Sequence, residues 1–177
     1  LFAALNILEP LYETCLDRMA ELAGPKYPQF KVELDRVALH PNRTYFVYKS
    51  IIVQNLYGVD IMEEAVEICK LRLFLKLVAQ VEEGGRIEPL PDIDFNIRAG
   101  NTLVGFVSRE DVQAALERTA GGQGRLVFGE EQSALARIEE KAKEIDRAFA
   151  NFRKLQTQID VPSQTLGTAK AYLKEHL

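Results

Sequence analysis

Apolar residues recur at intervals of three and four along most of this chain, and that spacing predicts a helix-rich protein. Helices are expected over residues 1–23, 32–39, 43–54, 62–81 and 130–159, and a last helix is expected from Ser163 onward. Two short apolar runs, residues 56–61 and 95–99, indicate β-strands, and a third strand is expected over residues 103–107. Strands that alternate with helices favour an α/β fold in which the strands are parallel.

Local signals refine these predicted helices. Pro10 falls inside the first helix and should kink it or force it to restart. Asn42 and Ser108 are expected to cap the helices that follow them, the second of which spans residues 109–119. The helix over residues 62–81 carries apolar residues on most sides, so we expect it to be buried on more than one face.

The long helix near the C-terminus carries an apolar seam with the average spacing of 3.5 residues that coiled coils show. The seam consists of Leu135, Ile138, Ala142, Ile145, Phe149 and Phe152. We expect this helix to form a hairpin with the last helix, with mixed charges on its solvated face. Residues 120–124 are glycine-rich but follow no predicted strand, so they are expected to be a hinge and not a phosphate-binding loop.

Polar side chains stand at the ends of the two predicted strands. Asp60 closes the first strand, and Asn101 follows the second after Gly100. The carboxyl ends of parallel strands meet at one edge of a sheet, where ligands bind in α/β folds. There Asp60 can accept both hydroxyls of a ribose, and Asn101 can accept from the exocyclic amine of a base. Plainer interpretations stay open, because Asp60 with Glu63 is also a capping box and Gly100 also suits a simple turn.

Composition narrows the class of protein. The 177 residues allow one domain, or one domain with an insertion, and the net charge of -4 argues against binding nucleic acid over the whole surface. Cys15 and Cys69 lie in apolar helical patterns, so both are expected to be buried thiols in a reducing compartment such as the cytoplasm. Two histidines are too few for a metal site, and no uncharged segment is long enough to span a membrane.

Three strings of this chain, in their order and spacing, resemble the adenine-N6 DNA methyltransferases of restriction–modification systems, especially the large fused type IIG enzymes. The strings are residues 55–61, 64–73 and 87–105. The resemblance covers roughly residues 1–106, and the helical part from residue 109 onward resembles an insertion that some members carry.

The resemblance implies a Rossmann-like sheet, of which this chain would hold two or three strands, that binds S-adenosylmethionine. In that family an acidic residue after the second strand holds the ribose hydroxyls, and the next residue packs on the adenine ring. Asp60 and Ile61 match these positions. An Asp or Asn after the third strand meets the adenine amine, which Asn101 matches, and the adjacent Thr102 is assigned to the same site. The implied reaction is methyl transfer to N6 of adenine in DNA.

Two family motifs do not occur in this sequence: the glycine-rich loop that cradles the methionine part of the cofactor, and the Asn-Pro-Pro-Tyr motif that holds the target adenine. The chain also begins inside a helical pattern without a Met. We therefore expect an internal piece of a methylase, with a partial cofactor-binding domain over residues 1–107 and a helical insertion over residues 108–177. No side chain is assigned a catalytic role. The piece alone is expected to be inactive and to bind cofactor weakly or not at all. It is also expected to self-associate through open sheet edges and bare apolar helix faces.

Two other classes of protein remain open on the sequence. An acidic residue after a second strand also binds the ribose in nicotinamide dehydrogenases, so a dehydrogenase fragment is one alternative. The other is a helical interaction module, in which the seam over residues 135–152 recruits a partner chain and the α/β part is a scaffold.

Overall fold

The computed structural model describes residues 1–81, 88–105, 108, 110–112, 114–115 and 128–176, with the backbone alone over residues 128–135. The chain divides into two compact units. The first consists of Leu1–Asn101 and Arg153–Pro162, and the second of Thr102–Phe152 and Ser163–Leu177. The described part is helix-rich with one small parallel sheet, as the pattern predicts.

The first unit is built around one buried helix. Its elements, in chain order, are α1 (Phe2–Leu22), α2 (Pro28–Leu39), α3 (Arg43–Asn55), β1 (Gly58–Asp60), α4 (Glu63–Val78) and β2 (Ile97–Ala99). Every residue of α3 from Tyr45 to Val53 is buried, and α1, α2 and α4 pack against it. The Asn42 side chain accepts a hydrogen bond of 2.8 Å from the Tyr45 N–H, which confirms the predicted cap.

Two helices differ from their predicted form. α1 runs without interruption through Pro10, so of the two predicted effects, a kink or a restart, the restart does not occur. The loss of one backbone donor is tolerated inside a helix whose Leu5 and Leu16 are anchored in the core. α2 begins at Pro28, four residues before the predicted start. Proline is well suited to a first helical position because its φ is already close to the helical value.

The sheet is smaller than predicted. β1 and β2 have three residues each and pair in parallel, with Gly58 opposite Ile97 and Asp60 opposite Ala99. The predicted third strand is wrong over residues 103–105, which form turns and bends, and its last two positions lie outside the described residues.

α4 is buried on one face alone, so the prediction of burial on more than one face is wrong. Val66, Leu73 and Leu77 face the core, which α3 and the sheet supply. An outer stripe is exposed to solvent: Ile68, Leu71, Leu75 and Val78. Within the part of the chain that the structure describes, no element covers this stripe.

A cluster of buried charges holds the segment after α4 against α3. The Glu88 carboxylate contacts His40 Nδ1 at 2.6 Å and Lys49 Nζ at 3.1 Å. The side chains of Lys49 and Glu88 are 4% and 10% exposed. Tyr45 donates to the Glu88 backbone carbonyl, and burial together with the Glu88 carboxylate raises the pKa of this phenol to about 12.

The second unit contains a helical pair. It holds α5 (Phe128–Gln156) up to Phe152, together with α6 (Ser163–His176). The two helices are in contact, since the Tyr172 hydroxyl donates to Glu144 at 2.5 Å, and Leu173 of α6 is fully buried. The seam is buried at Phe152, but Ile138 is 54% exposed. The side chain of Leu135 and the predicted hinge over residues 120–124 lie outside the described residues.

A short helical stretch and the thiols complete the description. Residues 110–112 and 114–115 are helical, and Ser108 and Asp111 exchange the expected capping hydrogen bonds at 3.2 Å. Both cysteines are free, but Cys15 is exposed, so its predicted burial is wrong: it lies on the solvent side of α1, while Cys69 is half-buried. Among the described residues, no helix has the length and apolar character to cross a bilayer, and no cluster of side chains is suited to a metal.

The buried charge cluster predicts a large effect of Glu88→Ala. We expect the free energy of unfolding to fall by about 3–5 kcal/mol, because the substitution leaves the buried Lys49 ammonium uncompensated. Urea denaturation of the 177-residue chain measures this free energy of unfolding in the wild type and in the variant. Glu21→Ala is the matched control, since its ion pair with Arg18 is exposed and is expected to contribute less than about 1 kcal/mol. Equal effects of the two substitutions would contradict this account of the cluster.

Candidate functional site

The parallel sheet brings the two predicted polar positions to one edge. The Gly100 N–H donates to the Asp60 carbonyl at 2.8 Å, directly after the pairing of Asp60 with Ala99. Because the strands are parallel, Asp60 and Asn101 both leave the sheet at its carboxyl end. In α/β folds this edge is where ligands bind.

The Asp60 carboxylate stabilises the turn into α4 and does not cap the helix. Its Oδ1 accepts a hydrogen bond of 2.9 Å from the Met62 N–H. Met62 is the residue that precedes α4, and it makes no side-chain cap, so the predicted capping box of Asp60 with Glu63 is wrong. The reason is the position of the helix start: α4 begins at Glu63, which leaves Asp60 two residues before the cap, where an aspartate forms a local turn.

This arrangement leaves much of the carboxylate available to a ligand. Asp60 is exposed, and within the described part of the chain its Oδ2 has no hydrogen-bond partner. Each carboxylate oxygen has two lone pairs, so Oδ1 can also accept a second donor. Two ligand hydroxyls can therefore approach this one side chain without breaking the turn.

The other three predicted site residues, Ile61, Asn101 and Thr102, are all exposed. Ile61 follows it and is 73% exposed, so a large apolar side chain stands beside the carboxylate. Asn101 is exposed at the end of the first unit, and Thr102 is exposed in a turn as the first residue of the second unit. The structure thus brings Asp60, Ile61 and Asn101 together within one unit.

Gly100 permits the close approach of the two strand ends. A Cβ at this position would lie 3.3 Å from Val59 Cγ1, which is tighter than normal contact. The absence of a side chain therefore lets the chain turn directly beside β1 and carry Asn101 to the same edge.

Sequence reasoning missed one buried polar residue at the opposite end of the strands. Asn96 is 3% exposed, and its amide nitrogen donates to the carbonyls of Val53 and Leu56, both at 3.0 Å. A signal was present, because asparagine is uncommon within an apolar strand-like run and usually has a specific hydrogen-bonding reason to be there.

Comparison with known proteins defines the class. Residues 54–172, more than half of the chain, match the family model described as Eco57I restriction-modification methylase. The chain belongs to this family, and the class predicted from the sequence, a methylase of restriction–modification systems, is confirmed. The family assignment argues against the dehydrogenase alternative.

A longer protein shows the same likeness. A Methanocaldococcus jannaschii protein named as a type II restriction enzyme and methyltransferase, RM.MjaORFECS2P, is 47% identical over 76 residues. The match covers 40% of this chain and 6% of that protein, so the chain spans a small part of the length of this relative. No solved structure matches the chain.

Proposed function

We propose that this chain forms the nucleoside-binding side of the S-adenosylmethionine site in a DNA adenine-N6 methyltransferase. The observation that carries the proposal is the meeting of Asp60 and Asn101 at the carboxyl edge of a parallel sheet, in a chain of the Eco57I methylase family. β1 and β2 would then be two strands of a larger Rossmann-like sheet. The remaining strands would come from the rest of a longer methylase, like the much longer relative.

Each proposed site residue has a distinct role in binding the nucleoside. The carboxylate of the exposed Asp60 would accept the two ribose hydroxyls, for which its Oδ2 and the second lone pair of Oδ1 are suited. Ile61 would pack on the adenine ring with its exposed apolar surface. The Asn101 amide oxygen would accept from the adenine amine, and Thr102 would add a hydroxyl beside it.

The chemistry asked of these residues is binding and orientation. S-adenosylmethionine supplies an activated methyl group, and its transfer needs little more from the protein than alignment and exclusion of water. None of the four residues needs to move a proton. This agrees with a site made of one carboxylate, one amide, one hydroxyl and one apolar side chain.

DNA is the proposed second substrate, and the proposed location is the cytoplasm, where bacterial and archaeal DNA lies. A base inside a duplex cannot reach a methyl donor, so the target adenine must be flipped out of the stack. We assign that task to parts of the complete methylase outside this chain, because none of the proposed residues contacts DNA in this scheme.

The proposed ribose contact predicts that the charge of Asp60 matters for cofactor binding in the complete methylase. Asp60→Asn keeps an acceptor for the Met62 N–H but removes the charge that binds the ribose hydroxyls. We expect a loss of about 1.5–3 kcal/mol in S-adenosylmethionine binding, measured by calorimetric titration, since hydrogen bonds to charged groups are worth about that much. Glu64→Gln, an exposed carboxylate in the first turn of α4, is the control and should bind normally. Unchanged affinity in Asp60→Asn would refute the role of Asp60.

The proposed reaction also predicts which DNA base carries the new methyl group. The complete methylase, incubated with DNA and methyl-labelled S-adenosylmethionine, should place the label on adenine N6. Mass spectrometry of the digested nucleosides identifies the product. Label on cytosine would overturn the adenine assignment and leave the cofactor site untouched.

A further inference from the structure

Asn96 joins the start of β2 to the segment that leads into β1. Its Nδ2 donates to the carbonyls of Val53, in the last turn of α3, and of Leu56, the residue that follows α3. Its own backbone carbonyl accepts from the Gly58 N–H at 2.9 Å. One residue thus fixes three successive points on the path from α3 to the first residue of β1.

The amide is well matched to these contacts. A helix leaves its last carbonyls without partners inside the helix, and buried carbonyls need a donor. Val53 and Leu56 are buried, so water is a poor substitute there. An asparagine amide offers two N–H donors from one atom, whereas aspartate at neutral pH offers none and alanine has no polar group.

The sheet itself holds its register weakly. Each strand has three residues, so few ladder hydrogen bonds oppose a slip. A slip of one residue would move Asp60 by about 3.3 Å along β1 and turn its side chain to the other face of the sheet. Asp60 would then no longer lie beside Asn101.

We propose that Asn96 is a positioning residue for the cofactor site, because it sets the register that places Asp60 and Asn101 at one edge. This inference rests on the function proposed above. Asn96 lies at the amino end of the strands and Asp60 at the carboxyl end, so Asn96 acts through the strand pairing and does not contact the nucleoside.

The test compares Asn96→Ala and Asn96→Asp with Leu16→Ala, a core substitution on α1 outside the sheet. Amide hydrogen exchange of the 177-residue chain, followed by NMR, reports on the Gly58 and Gly100 hydrogen bonds that close the two ends of the pairing. The Val47 and Ile51 amides in α3 report on the core. In both Asn96 variants we expect the exchange rates of the Gly58 and Gly100 amides to rise about tenfold more than those of the Val47 and Ile51 amides. In Leu16→Ala we expect the exchange rates of all four amides to rise by the same factor.

A second readout connects the register to binding. In the complete methylase, both Asn96 variants should weaken S-adenosylmethionine binding about tenfold or more, while Leu16→Ala binds normally at a temperature where it is folded. If Asn96→Ala and Asn96→Asp do not fold, Asn96→Ser takes their place. Its hydroxyl keeps one hydrogen-bond donor, so we expect the same pattern with smaller changes in exchange and in affinity.

The outcomes separate this inference from the proposed function. Even acceleration of all four amides in the Asn96 variants would overturn the positioning role and show general destabilisation. Selective acceleration together with normal affinity would overturn the link to the site. If Asp60→Asn also binds normally, the proposed function fails, while the exchange data still decide whether Asn96 sets the register.

Discussion

The pairing of β1 with β2 is the interaction on which the proposed site depends. The backbone bond from the Gly100 N–H to the Asp60 carbonyl fixes the distance between the two strand ends. Everything else at the edge follows from it: Asp60 and Asn101 leave the sheet side by side, and Gly100 gives them room to do so. Such a short ladder cannot define its own register strongly, so the surrounding core must define it.

The core defines the register of the two strands through a few buried polar contacts as well as through apolar packing. α3 is buried along most of its length, and its neighbours are attached to it by Glu88 on one side and by Asn96 at its end. Buried polar groups of this kind are costly when unpaired and therefore specify one arrangement when fully paired. The segment from Glu88 to Asn96, which leads into β2, is held at both ends in this way.

Sequence patterns predicted those features that depend on neighbouring residues. The cap at Asn42, the strands that end at Asp60 and near Asn101, and the long helix all follow from local rules of propensity and periodicity. α4 begins at Glu63, one residue after the predicted start, and Asp60 forms a local turn in place of the capping box. Boundaries of this kind depend on energies too small for pattern reasoning to resolve.

Features that depend on distant residues were not predictable. His40 meets Glu88 across 48 positions of sequence, and no local pattern connects them. The outer stripe of α4 looks as apolar as its buried stripe, because hydrophobicity alone does not say which surface another element covers. The meeting of Asp60 and Asn101 at one edge of the sheet was predictable, because the carboxyl ends of parallel strands converge whatever the details of packing.

We propose above all that the Asp60 carboxylate binds the ribose of S-adenosylmethionine. Its most direct test is a double-mutant cycle in the complete methylase, in which titration calorimetry compares S-adenosylmethionine with its analogue that lacks the ribose 2′-hydroxyl. We expect removal of the hydroxyl to weaken binding about tenfold in the wild-type enzyme and to have little effect in Asp60→Asn. An equal loss of affinity in both enzymes would show that Asp60 does not contact this hydroxyl and would refute its role in ribose binding.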